Sequence, residues 1–193
     1  MQHLIAHINH FIPVSDGLKE RLQDMSEVQV LPKDYFLYKP NKVWRNTFFI
    51  NKGIIRSFHL KDDKEITDSF WAENEWITST SSFLENIPDL FYIKTVEQCE
   101  VLKFSLKDLE KCLSDFPEME RFGRMLVSKR VKEQSERLVL FRSYSARERY
   151  QFFEETAKNK LYRIPLGMLA SYLGMTQETL SRIRSRKNNT PRN

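Results

Sequence analysis

The residues best suited to chemistry in this 193-residue chain stand close together: Thr176, Gln177, Glu178, Ser181, Arg182, Arg184, Arg186 and Lys187. They make no nucleophile motif, phosphate loop or metal set. What they can do is hydrogen-bond in fixed directions. Gln pairs bidentately with adenine, Glu accepts from the cytosine amine, and Arg forks onto guanine. Ser, Thr, Arg and Lys also hold phosphate oxygens.

Something must present these side chains along one face. Leu180 and Ile183 recur at helical spacing among them, and Leu166, Leu169, Ala170 and Leu173 do so just upstream. The pattern predicts two short helices, each with one buried stripe. Gly174, between them, can take the positive φ of a sharp turn. Thr176 is a good N-cap, and Thr179 falls in the first turn of the second helix. Ala170 is small where the helices cross. Ala170, Gly174 and Leu180 together keep the spacing of a helix-turn-helix, whose second helix enters the DNA major groove. An ordinary helical hairpin with a solvated polar face is the plainer reading of the same periodicity.

Charge is distributed to match. Residues 141–193 carry 11 Lys and Arg against 4 Asp and Glu, a net of +7, whereas residues 1–140 carry 20 against 22, a net of −2. A basic segment over the helix-turn-helix fits a surface that meets phosphates. The composition, 40% apolar and 12% aromatic, is ample for a packed core.

Cys99 and Cys112 lie 13 positions apart with no CxxC partner, so neither a metal signature nor a disulfide framework is expected. Their sparing use fits a reducing cytoplasm. The start of the chain lacks the charge and apolar run of a signal peptide, and no run approaches the roughly 20 apolar residues of a membrane span. His3, His7 and His10 share helical spacing. They read either as three imidazoles for a metal or as the polar face of a terminal helix, and no nearby Cys, Asp or Glu completes a metal set. His59 with Asp62, Asp63 or Glu65 is the nearest acid–base grouping. It sits in a predicted hairpin turn without further catalytic signals, so no enzyme activity is expected.

Short helices are predicted over 2–10, with Leu4, Ile5 and Ile8 inward, and over 18–25. Short β runs then follow at 28–31, 36–38, 47–50, 54–59, 66–71, 91–96 and 99–104, separated by turn residues. This density implies an antiparallel roll or barrel. The aromatic residues Phe70, Trp71, Trp76, Phe83, Phe91 and Tyr92 serve either as its core or as a pocket lining. Ser105 caps a short helix, and Phe116-Pro117-Glu118 opens a long one reaching about Arg142. In that helix Val127, Val131, Leu138 and Phe141 follow a 4-3 rhythm around Gln134. The stripe suits parallel dimerisation or docking against the chain's own β domain. Residues 146–158 form a further helix, Leu161–Ile164 an extended piece, and the last residues a polar, mobile tail.

A roll of short strands, a long connecting helix and a terminal helix-turn-helix resemble the Crp/Fnr family of bacterial transcription regulators over essentially the whole chain. The stretch from Ile164 to Ile183 carries the resemblance best, and its Glu178-Thr179-Leu180-Ser181-Arg182 core looks like the family's recognition helix. The resemblance implies an α+β fold: a jelly-roll-like β-roll domain over 1–115, a dimerisation helix over 116–143 and a helix-turn-helix domain over 144–193. The sequence ends too soon for the wing hairpin of many members, so an abbreviated wing is expected. By the same resemblance Glu178 and Arg182 read bases, with Gln177 the variable reader before them. The family's nucleotide-binding Gly-Glu positions fall here on Thr78-Ser79, and its phosphate-binding Arg-Ser positions on Asp89-Leu90, with Trp76 in the loop leading in. A carboxylate where a guanidinium would pair with phosphate repels such a ligand. Cyclic-nucleotide binding in the familial mode is therefore not expected, and no cofactor is.

The resulting expectation is a cytoplasmic homodimeric regulator that binds double-stranded DNA at a palindromic site, with RNA polymerase as a candidate further partner and no membrane. The alternative is a small-molecule-sensing module whose roll binds an unidentified effector, at Trp76, Thr78, Ser79, Asp89 and Leu90, and gates DNA binding.

Overall fold

The β-branched and aromatic runs become strands, and the 3.6-residue stripes become helices, in a computed structural model that describes residues 1–188, the side chains of 187 and 188 excepted. In chain order the elements are α1 (Gln2–Asn9), α2 (Asp16–Asp24), β1 (Ser26–Leu31), β2 (Phe36–Tyr38), β3 (Asn46–Lys52), β4 (Ile55–Lys61), β5 (Lys64–Trp71), β6 (Trp76–Ile77), α3 (Thr80–Glu85), β7 (Tyr92–Thr95) and β8 (Cys99–Ser105). They continue with α4 (Leu106–Asp115), α5 (Pro117–Ser143), α6 (Ala146–Thr156), α7 (Lys158–Leu161), α8 (Leu166–Tyr172) and α9 (Gln177–Asn188). The chain divides into two compact units: residues 1–57 with 70–131, and residues 58–69 with the chain from Lys132 onward.

The first unit holds most of a two-sheet roll, with strand orders β1-β8-β3-β6 and β2-β7-β4-β5. β8 pairs antiparallel with both β1 and β3, with Val28 opposite Leu102 and Phe49 also opposite Leu102. Alternation along β3 and β8 sends their adjacent apolar residues to opposite faces. Phe48, Ile50, Cys99 and Val101 point into the roll, where they meet Leu31, Tyr38, Trp44, Ile55, Ile77 and Ile93. Phe49, Leu102 and Phe104 point the other way, onto Leu4 and Ile8 of α1, Leu18 and Leu22 of α2, and Met119 and Phe122 of α5. Both faces of these central strands are thus buried, and each large side chain so placed contributes about 1.5–3 kcal/mol. Cys99 and Cys112 are both free and buried, as small core residues are. Burial pushes the Cys112 thiol up to about 11.

The α1 histidines do not form one polar face. His3 and His10 are exposed, but His7 packs among Phe11, Phe49 and Phe122 at centroid distances of 5.3, 5.5 and 5.9 Å. Position 7 lies beside the Leu4–Ile8 stripe and is drawn in with it. Burial lowers the His7 pKa, the Lys129 and His10 charges lower it further, and Glu75 opposes them. Among the described residues no group of three His, Cys, Asp or Glu could hold a metal ion, and no helix is long and apolar enough to cross a membrane.

In the second unit, the β4–β5 hairpin turns through Asp62 and Asp63 at φ 50° and 58°, the positive pair that a tight hairpin needs. Ser171 of α8 seats itself on the edge of β5: its Oγ accepts from Thr67 N at 2.9 Å and donates to Glu65 O at 3.3 Å. Arg137 donates to the Asp68 carbonyl and lies 3.6 Å from its carboxylate. Ser145 and Glu148 form a capping box that starts α6. Leu161–Ile164, expected to be extended, instead leaves α7 in a turn. Leu161 and Ile164 are both buried, and a helical turn puts positions three apart on one side, which a strand would split.

Candidate nucleic-acid interface

The α8–turn–α9 pair is assembled as the residue spacing predicts. Leu169, Ala170, Leu173 and Leu180 are buried at 4% exposure or less and close the crossing. Gly174 turns the chain at φ +64°, and a Cβ there would stand 2.7 Å from Cε1 of Phe141. The left-handed conformation and the contact with the ring together demand glycine. Arg149, from α6, braces this turn. Its Nε donates to Leu173 O at 2.9 Å, Nη2 to Gly174 O at 3.2 Å, and Nη1 to Tyr144 O at 2.7 Å. The same guanidinium lies 5.3 Å from the Phe141 ring centroid. Neither Arg149 nor the packing of Phe141 under the turn follows from helical spacing, because both depend on α5 and α6 meeting the α8–α9 turn in space.

Thr176 caps α9, its Oγ1 accepting from Thr179 N at 3.2 Å. The two threonine hydroxyls are 3.1 Å apart, and Arg182 Nη2 donates to Thr179 Oγ1 at 3.4 Å. Glu178 is fully exposed, and its carboxyl is held below its ordinary range by the N–H at the helix start, by the Thr176 hydroxyl and by the Arg182 charge. Gln177 folds back along α8: its Oε1 lies 3.1 Å from where a Cβ on Gly167 would stand. Ser181, Arg182 and Arg186 are exposed with Gln177 and Glu178.

Arg184 behaves differently from its expected outward role. One turn past Leu180, it falls on the inner flank of α9, and its guanidinium lies 5.6 Å from the Tyr150 ring centroid. The Lys187 side chain lies outside the described residues, as do residues 189–193, where the polar tail was expected. The exposed face of α9 is therefore polar, carries both signs of charge, and has side chains long enough to reach into a groove.

The residues named for an effector are dispersed. Ser79 is 3% exposed, caps α3 through Ser82 N at 3.1 Å and donates to Asp89 Oδ2 at 2.9 Å. Asp89 N donates to the Tyr38 hydroxyl at 2.8 Å. Thr78 is exposed and Leu90 is 79% exposed. Trp76 faces away from the roll interior, 5.4 and 5.2 Å from Phe49 and Phe104, because adjacent residues of β6 alternate and Ile77 takes the inner side. Of the other aromatics, Phe70 is buried, Trp71 stacks with Arg130, and Tyr92 packs on Phe36. The roll interior is occupied instead by Trp44 stacked on Tyr38, centroids 5.0 Å apart and planes 11° from parallel.

On α5, Met119 and Phe122 are buried, but Met125, Val127, Val131, Leu138, Val139 and Phe141 are 37–64% exposed. The 4-3 stripe is therefore open in the single chain.

Solved structures share this architecture. The global regulator CLP of Xanthomonas campestris matches with a TM-score of 0.72 at 16% identity, over 93% of this chain and 96% of that one. FixK2 of Bradyrhizobium japonicum matches at 0.75 and 16%, over 84% of each. A protein from Eubacterium rectale described as a transcriptional regulator of the Crp/Fnr family matches at 0.69 and 15%, over 91% of this chain and 84% of that one. The chain has the Crp/Fnr fold. No family model matches it, and no curated protein does by sequence. At these identities the likeness to Crp/Fnr regulators is one of backbone architecture, and every functional role must be argued from this chain's own side chains.

Proposed function

We propose that this chain is a sequence-specific DNA-binding transcription regulator that acts as a homodimer. The observation that carries the reading is the exposed start of α9, where Glu178 and Arg182 project, with Gln177 exposed but lying along α8, from a helix fixed by the Gly174 turn and the Arg149 brace. Side chains at the N-terminal end of a recognition helix are those that reach base edges. In this reading Thr176, Ser181, Arg186 and Lys187 hold phosphates. Arg184, packed on Tyr150, supports the helix and contributes charge. Residues 1–115, 116–143 and 144–193 serve as roll, pairing helix and DNA-binding domain. The open stripe on α5 supports pairing with a second copy, which sets two recognition helices about one DNA turn apart on a palindromic site. The protein works in the cytoplasm without enzymatic activity, and RNA polymerase is the partner a regulator would address. The roll does not take a cyclic nucleotide through Ser79 and Asp89, because those two groups are bonded to each other and Asp89 would repel a phosphate.

Selection of bound fragments from random DNA at near-physiological salt tests this. Enrichment of a two-fold symmetric site supports a dimeric reader of sequence. Binding that is salt-sensitive and indifferent to sequence overturns it. CLP is a c-di-GMP-responsive regulator, which keeps a second reading in view: an effector bound to the roll gates DNA binding. Tryptophan fluorescence against a metabolite panel, followed by selection with any ligand found, tests that reading.

A further inference from the structure

Arg182, one of the candidate base readers of α9, is joined to the helix cap by a hydrogen-bonded chain, with Glu178 beside it. Arg182 is a donor only, so Thr179 Oγ1 accepts from it, and the Thr179 and Thr176 hydroxyls share a further hydrogen bond at 3.1 Å in which either oxygen can donate. Thr176 Oγ1 also accepts from Thr179 N, and, after the N–H at the helix start, the Thr176 hydroxyl and the Arg182 charge both help to lower the Glu178 pKa. Hydrogen bonds thus run from the guanidinium through the two hydroxyls to the cap of α9, with the Glu178 carboxylate beside it, and each bond polarises the next. The helix makes this possible: 176, 179 and 182 are three apart and share a face, and β-branching restricts the χ1 of both threonines.

We propose that Thr179 is a specificity-determining positioning residue, which orients the Arg182 guanidinium beside Glu178 so that the two read DNA as one unit. Thr179 does this without contacting a base. Its hydroxyl removes rotamer freedom from a long side chain that would otherwise have to be ordered on binding. The proposal rests on the DNA-reading role given to α9 above.

The test uses the full chain and the site selected from random DNA, with each base pair replaced in turn and the affinity ratio measured. Thr179→Val keeps the shape and removes the hydroxyl, and Thr179→Ser keeps the hydroxyl. The expected result is that Thr179→Val loses about threefold to tenfold of discrimination at the base pair that Arg182→Ala also affects, a part of the bidentate contribution. Thr179→Ser should stay near wild type. In an Arg182→Ala background, Thr179→Val should change nothing further. The proposal fails if Thr179→Val leaves the ratio unchanged, weakens all sequences equally, or acts as strongly without Arg182. If the wild-type chain selects no site, the DNA-binding reading falls first and this proposal with it. If it selects a site whose ratios respond to Arg182→Ala and not to Thr179→Val, only the positioning role is lost.

Discussion

Two places in the molecule set hydroxyls beside a carboxylate and use them in opposite ways. At residues 79–89 of the roll, Ser79 caps α3 and gives its proton to Asp89, while the Asp89 N–H goes to Tyr38. That set is closed on itself and largely buried. At the start of α9, Thr176 caps its helix in the same way, but the chain it begins ends in Arg182, which faces solvent beside the exposed Glu178. On the proposed DNA-reading role, the difference separates architecture from recognition. A polar cluster whose donors and acceptors satisfy one another holds a fold, and one that ends in open, oriented groups is ready for a partner.

The harshest way to break this contrast is at Gly174, on which the presentation of α9 depends. Gly174→Val combines a left-handed backbone with a collision against Phe141, and should cost about 2–5 kcal/mol in denaturant unfolding and abolish site-specific binding. Arg182→Ala should leave unfolding unchanged and remove about 1–3 kcal/mol of discrimination at a single base pair, measured by affinity ratio. Asp89→Ala should show the reverse signature: about 1–2 kcal/mol of stability lost, because buried Ser79 loses its acceptor, with DNA ratios unmoved. An Asp89→Ala chain as stable as wild type would show that the closed set is not structural.

The smallest expected effect sharpens the comparison through pH. His7 has a folded-state pKa below its ordinary 6.5, so the unfolded chain takes up the proton first. Its stabilising contribution is complete above pH 6.5 and declines as the pH falls below that value, with a slope of at most about 1.4 kcal/mol per pH unit. His7→Phe should flatten this part of the stability–pH curve. On the proposed reading, the affinity of α9 for DNA should not follow it.

Much of this organisation was legible in residue order. Apolar runs rich in aromatic and β-branched residues marked the strands, because β3 and β8 are buried on both faces. Gly174, Thr176 and the Leu169–Leu180 spacing marked the helix pair, because local backbone demands select those residues. Strand β6 escaped notice because Trp76 and Ile77 are too few to show a period, and α3 because Ser and Thr dominate its start. The spacing of ten between Ser79 and Asp89 was legible, yet their mutual bond was not, since two residues that fail to match a ligand site need not match each other. Arg149, Phe141 and the inward turn of Arg184 depend on α5, α6 and α9 meeting in space, and that carries no periodic signature.

The seat of Ser171 on β5 has a kinetic consequence. The Thr67 amide is covered by a side chain from α8 at 2.9 Å, so a helix shields that strand proton from solvent. Its exchange with deuterium is therefore a clock for the separation of α8 from the hairpin. If that exchange outpaces the amides inside β3 and β8, the hairpin and α8 part in a partial opening while the roll stays folded. Ser171→Ala should then quicken the clock at Thr67 and leave those inner amides at their own pace.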